Sequence, residues 1–241
     1  MFAQAHVYHA NVISKSKDTN LLFASIFPDI AWTSKGKIDR KKVHGDFAYS
    51  LNLNPRLAPI VEGLRFHLSL DYYTHDFEGG YAFNSSKDID QDVADLLGIE
   101  KGRDSLLMAH NFIEAAVDLS VIEKFPDTLD LYKNVMSKAD KSLFSEYSSL
   151  YLGVEKKAAE GIILDYIQNL APSLMSTLNG MAETILPTLV DLKFSKKVDA
   201  KRTKEILKEA VKIVSPTYLN FLNDAISNFD IKKEMVVKRQ K

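Results

Sequence analysis

The sequence predicts an all-α protein, a multi-helix bundle whose histidines and carboxylates could hold a metal. Three observations lead there. Apolar residues recur at helical spacing through most windows of the 241-residue chain. Only seven prolines and ten glycines interrupt it, leaving long segments free to coil. There is no cysteine, and all six histidines, His6, His9, His44, His67, His75 and His110, lie in the first 110 residues.

Taken in order, the periodicity places helices at about 3–15, 19–26, 42–52, 57–77, 88–97 and 103–123. Further helices are expected at about 127–137, 140–150, 154–192 (broken near its prolines), 200–214 and 216–229. Asp18, Ser142, Asp199 and Ser215, the last preceding Pro216, are the expected N-caps. Gly79-Gly80, Gly98 and Gly153 are the expected stops. Residues 1–125 are read as a metal-binding core, and 126–241 as a helical extension packed on it in one continuous domain. The stripe Leu170, Leu174, Leu178, Met181, Ile185 and Leu189 is read as core.

Composition limits the chemistry. Thirty-one basic and 32 acidic residues give a formal net charge of −1, which argues against a dedicated nucleic-acid binder. The balance hides an asymmetry. Residues 1–130 hold 13 basic and 19 acidic side chains, and residues 131–241 hold 18 and 13. An acidic head suits cation binding, whereas a basic second half suits anionic ligands or lipid surfaces. With no cysteine, disulfides, thiol catalysis and thiolate metal sites are excluded, so any metal sits on imidazole and carboxylate. The N-terminus lacks the basic and apolar regions of a signal peptide, and no stretch approaches about 18 uninterrupted apolar residues. Leu170–Leu192, the closest, is broken by Pro172, Asn179, Glu183 and Pro187. A cytoplasmic protein without a transmembrane segment is expected.

Spacing turns the histidine census into a site. In His67-Leu-Ser-Leu-Asp71-Tyr-Tyr-Thr-His75 the three polar groups fall at i, i+4 and i+8. Each step advances only about 40° around a helix, so all three share one face. His110, Glu114 and Asp118 repeat the pattern on a second helix. Paired histidine and carboxylate helices facing each other are how bundles build metal sites, and these ligand types suit zinc or another divalent transition metal.

In chain order, His6, Asp29 in Ile-Phe-Pro-Asp, His44, His67-x3-Asp71-x3-His75 and His110-x3-Glu114 form a recognisable pattern. It resembles the zinc-dependent phospholipase C and S1/P1-type nuclease superfamily, which includes bacterial phospholipase C and the N-terminal domain of glycosylphosphatidylinositol-specific phospholipase D. The short Asp71-to-His75 spacing is more similar to the intracellular bacterial branch than to the secreted enzymes. The resemblance covers about residues 3–120. It implies a polynuclear metal site at one end of the bundle, with one zinc on Asp29, His44, His67 and Asp71, and a second on His75, His110 and Glu114. It implies a third on His6, with Asp71 bridging. In secreted members the third ion is also held by a processed N-terminal Trp, where this chain has Met1-Phe2. Two ions are therefore expected, and a third would need compensation from His9.

The activity implied is hydrolysis of a small phosphodiester or a phospholipid, a nucleic acid being the less favoured substrate. Asp71 and Asp29 are the catalytic candidates. Asp29 either ligates, orients the attacking water or protonates the leaving oxygen. Asp46, Asp76 and Asp118 are candidates to hold the outer nitrogens of the ligating imidazoles. The nearby aromatics, Trp32, Phe47, Tyr49, Phe66, Tyr72, Tyr73, Phe77, Tyr81 and Phe83, are read as core or as substrate contacts.

Two other readings compete. His44, His75-Asp76 and Asp118 mimic the pattern of HD-type phosphohydrolases, and Ala5-His6-Val-Tyr-His9-Ala10 with Asn20-Leu21-Leu22 is similar to acyl-carrier-protein phosphodiesterase. That pattern leaves His67, His110 and Glu114 without a role. The third reading is a non-catalytic helical protein with a structural metal site.

Overall fold

The computed structural model describes residues 3–44, 55–76 and 79–229, and among these there are helices and turns but no strand. The chain divides into two units. One comprises residues 1–5, 71–129 and 172–224, and the other 6–70, 130–171 and 225–241.

The first unit is organised around the helix Arg103–Lys124. Met108, Ala109, Phe112, Ile113, Ala115, Ala116, Val117 and Val121 are all buried, so the helix is covered nearly all round. Ala200–Val214, Tyr81–Ser86 and Asp90–Leu97 pack against it. Small residues at 109, 115 and 116 permit that close approach. Tyr218 Oη donates to the Ser120 carbonyl at 3.1 Å, and Arg202 pairs with Asp92. Arg103–Lys124 is the one helix, among the described residues, long and apolar enough to cross a membrane, and 78% of its apolar window is buried inside the protein. By sequence alone the nearest such stretch is 170–192.

The second unit is built on an aromatic core. Phe23 meets Phe144 edge-on at 4.7 Å between centroids, and Phe27 lies 5.0 Å from Phe144 and 6.1 Å from Tyr147. Tyr166, on the helix Lys156–Asn169, donates its hydroxyl to the Ile26 carbonyl at 2.5 Å. Tyr132 does the same to Leu170 at 2.7 Å. These two buried phenols thus find backbone acceptors and tie distant stretches of chain to the core.

Local structure agrees with the sequence, with instructive departures. Asp18 and Asp199 cap their helices as expected. Asp140, not Ser142, caps Lys141–Tyr147, because its carboxylate reaches the Leu143 N–H at 3.1 Å. Ser215 instead ends Ala200–Val214, and the next helix starts at Tyr218. Gly98 and Gly153 close their helices in the left-handed conformation. Of the helix expected at 42–52 only the first residues are described, in the short α-helix Arg40–Val43 and its cap His44, and residues 45–54 lie outside the described residues.

The long 154–192 segment resolves into Lys156–Asn169, two short turns and Leu186–Phe194, joined by a π turn at Met181–Ile185. A π turn inserts one extra residue and rotates the helix beyond it. The inward face consequently passes from Met181, Ala182 and Ile185 to Leu186 and Val190, leaving Leu189 only half-buried.

Candidate metal centres

In the second unit, Asp29, His44 and His67 offer ligand atoms within 4.8 Å of one another. Each is placed by a separate device. Phe27 is fully buried in the aromatic core and Pro28 opens the single 3-10 turn Phe27–Asp29, so Asp29 leaves the core at a fixed angle. His67 lies on Ala58–Asp71, which packs closely on Thr19–Ala24 at Gly63. A Cβ on Gly63 would stand 2.2 Å from the Leu21 carbonyl oxygen and 2.4 Å from Ala24 Cβ. That closeness lets His67 Nδ1 reach the Ser25 carbonyl at 2.9 Å. His44, at the end of Arg40–Val43, places Nδ1 3.2 Å from the Arg40 carbonyl.

A carbonyl accepts and never donates, so Nδ1 carries a proton on both rings, and Nε2 is the nitrogen that can ligate when the ring is neutral. Histidine ligands are commonly oriented in this way. On these two rings the orienting acceptors are backbone carbonyls. Asp46 lies outside the described residues. Asp118 accepts from the Gln4 and Ala5 N–H groups at 3.2 and 2.9 Å, at the start of Ala3–Ser14.

His44 Nε2 stands 3.9 Å from Asp29 Oδ1. Asp29 Oδ2 is buried with no hydrogen-bond partner among the described residues. Burial alone would raise the Asp29 pKa, but His44, then His67 and His6, outweigh it and hold the carboxyl well below its usual range. Asp29 is thus an anion at neutral pH. His6 stacks on His67 with centroids 4.1 Å apart. His9, also fully buried, is edge-on to Phe66 and Phe229, and belongs to no three-ligand group among the described residues. Burial, and next the adjacent His6, push its pKa down to about 3.

The first unit holds His75, His110 and Glu114. Glu114 Oε1 lies 3.5 Å from His75 Nε2 and 3.7 Å from His110 Nε2. His75 Nε2 is also 3.7 Å from Asp71 Oδ1. His110 and Glu114 are one turn apart on Arg103–Lys124, so their alignment is dictated by helix geometry. His75 sits in a π turn, Tyr72–Asp76, that continues from Ala58–Asp71. Gly80, at φ +73°, lies against its backbone, where a Cβ would fall 2.5 Å from the His75 carbonyl carbon. Phe83 stacks on His110 at 4.9 Å and meets His75 edge-on at 5.9 Å. Burial first, and the neighbouring His75, lower the His110 pKa well below its ordinary value, keeping the ring neutral and able to ligate.

Two of these roles were not readable from sequence. Gly80 read only as a helix stop, and Phe83 only as one aromatic among nine. The pairing of Gly80 with a neighbouring glycine hinted at a special backbone, but not at what it approaches.

The separations fit a cation. Hydrogen bonds between nitrogen and oxygen run at about 2.7–3.2 Å, shorter than these contacts. Ligands about 2.0–2.1 Å from a tetrahedral ion stand about 3.3–3.4 Å apart. The observed 3.5, 3.7 and 3.9 Å lie close to that edge. Comparisons with protein-family models, curated proteins and solved structures return no match.

Proposed function

We propose that this chain is a zinc-dependent phosphoric-ester hydrolase of the phospholipase C-like kind, with a di- or trinuclear centre. One observation carries the reading. Among the described residues, each unit brings together two imidazoles and one carboxylate, the ligand types of a catalytic zinc. His44 and His75 side chains retain 16% and 24% of their exposure, so solvent and substrate have access. An ion bound there supplies Lewis-acid polarisation of a phosphoryl oxygen and activation of water at neutral pH.

The chain's own groups then take defined roles. His44 and His67 present Nε2 because backbone carbonyls hold Nδ1. Asp29, an anion, serves as ligand or as acceptor of a water proton; proton donation to the leaving oxygen falls to another group. Asp71, beside His75, is the second carboxylate of the first unit's cluster. The HD-type alternative omits His110 and Glu114, which share a three-ligand group with His75.

The test is metal analysis of the purified chain together with turnover of bis-p-nitrophenyl phosphate. At least two zinc ions per chain, with turnover abolished in Asp71→Asn, is the expected result. A chain that takes up no added zinc sinks the proposal. A fully metallated chain inert towards every phosphodiester leaves a structural metal protein.

A further inference from the structure

The segment joining Asp29 to His44 has a composition unlike its surroundings. Lys35, Lys37, Arg40, Lys41 and Lys42 are five of the 13 basic residues in the first 130 positions, gathered within eight residues. All five are exposed, and none forms an ion pair among the described residues. The one acid among them, Asp39, accepts from the Lys41 N–H at 2.8 Å as a helix cap. The segment is anchored from within. Ser34, Ile38 and Val43 are buried, and the Ile38 N–H donates to Ser34 Oγ at 3.1 Å. Lys35 and Gly36, at φ +52° and +81°, form the tight turn that faces the cations outward.

Two apolar side chains accompany the charge. Trp32 is 36% exposed, and the Arg40 guanidinium lies over its ring at 4.3 Å. Leu150 is 63% exposed, the most of any large apolar residue described. It rides on the π turn Ser148–Leu152, which ends at Gly153, and Lys42 Nζ lies 4.0 Å from where a Cβ on Gly153 would be. Anchored cations flanking an indole and an aliphatic tip complement a surface of negative headgroups over an acyl layer.

We propose that residues 32–42 with Leu150 form a docking surface for an anionic lipid bilayer. A nucleic acid is the weaker fit, because Arg40 covers one Trp32 face that base stacking would use, and Leu150 has no part to play on a phosphodiester backbone. Docking here sets the bilayer beside Asp29 and His44, at the two ends of the segment. The inference stands on the surface alone and is independent of turnover.

Trp32 is the only tryptophan in the chain, so its emission reports on this surface directly. The full chain is titrated with phosphatidylcholine vesicles with and without phosphatidylglycerol. The expected result is a blue shift and quenching by brominated acyl chains, confined to anionic vesicles and reversed by salt. Lys37→Glu with Lys41→Glu should weaken partitioning at least about tenfold. Leu150→Gln should weaken it with the circular dichroism spectrum unchanged. Binding without a change in Trp32 emission, equal binding to zwitterionic vesicles, no binding, or quenching by a single-stranded oligonucleotide in place of vesicles would each overturn the proposal. Hydrolysis of bis-p-nitrophenyl phosphate needs no membrane and so tests the enzyme reading separately.

Discussion

At the scale of single residues, ligand chemistry and protonation decide what each centre can do. Glu114 Oε1 stands between two imidazoles and is the carboxylate of its three-ligand group. Glu114→Gln keeps the volume and removes that charge, and is expected to lower zinc content by one ion per chain, read by elemental analysis. Protonation gives a second prediction. The His9 and His110 pKa values are depressed in the fold, His9 to about 3, so the unfolded chain binds more protons below the ordinary histidine pKa of about 6.5. Their stabilising effect is complete above about 6.5 and declines as pH falls towards the folded values. Urea unfolding of the chelated protein at pH 7 and pH 5 should show this loss. His9→Leu, set among Phe66 and Phe229, should flatten the slope by up to about 1.4 kcal/mol per pH unit. Asp29 acts in the same direction in a lower window. Its depressed pKa stabilises the fold above the unfolded carboxyl value and is lost as pH falls through the folded one.

At the scale of elements, two close approaches set the ligands in place. Gly80 combines φ +73° with contact against the His75 backbone. Gly80→Ala should destabilise by about 1–3 kcal/mol and shift the π turn enough to cost the first unit its ion. Gly98 is the control. It has φ +60° but nothing within 4 Å of an added Cβ, so Gly98→Ala should cost only about 1 kcal/mol and leave zinc content unchanged. Gly63→Ala should push Ala58–Asp71 away from Thr19–Ala24, break the His67–Ser25 hydrogen bond and weaken the Asp29, His44 and His67 cluster. Thermal unfolding and metal titration of the three variants separate these outcomes.

At the scale of the whole molecule, metal and stability should be linked. An ion that binds only folded ligands raises stability by RT ln(1 + [L]/Kd), about 2.7 kcal/mol at a hundredfold excess over Kd. Chelation should therefore lower Tm, and added zinc should restore it. An unchanged Tm in a chain shown to bind zinc would mean that the ligands persist together in the unfolded state. Both units draw on distant stretches of chain, so neither half of the sequence alone contains a complete unit.

The helical class, and the candidate ligands that share one helix, were legible in the sequence. His110 with Glu114 is set by helical periodicity, because residues four apart stand one turn above each other, whereas Asp71 and His75 meet across the start of a π turn. Asp18, Asp199, Gly98 and Gly153 were equally legible, since capping and left-handed stops are local chemistry. Tertiary structure decided what depends on approach between distant residues. Asp29 meets His44 and His67 only because Phe27 is buried in the aromatic core and Gly63 admits a neighbouring helix. The Nδ1 protons of those histidines are fixed by backbone carbonyls, which no side-chain pattern announces. Gly80 matters through the backbone it touches, and the π turn that turns Leu189 partly outward depends on packing. Local spacing encodes which ligands stand on one turn; close packing alone decides which turns meet.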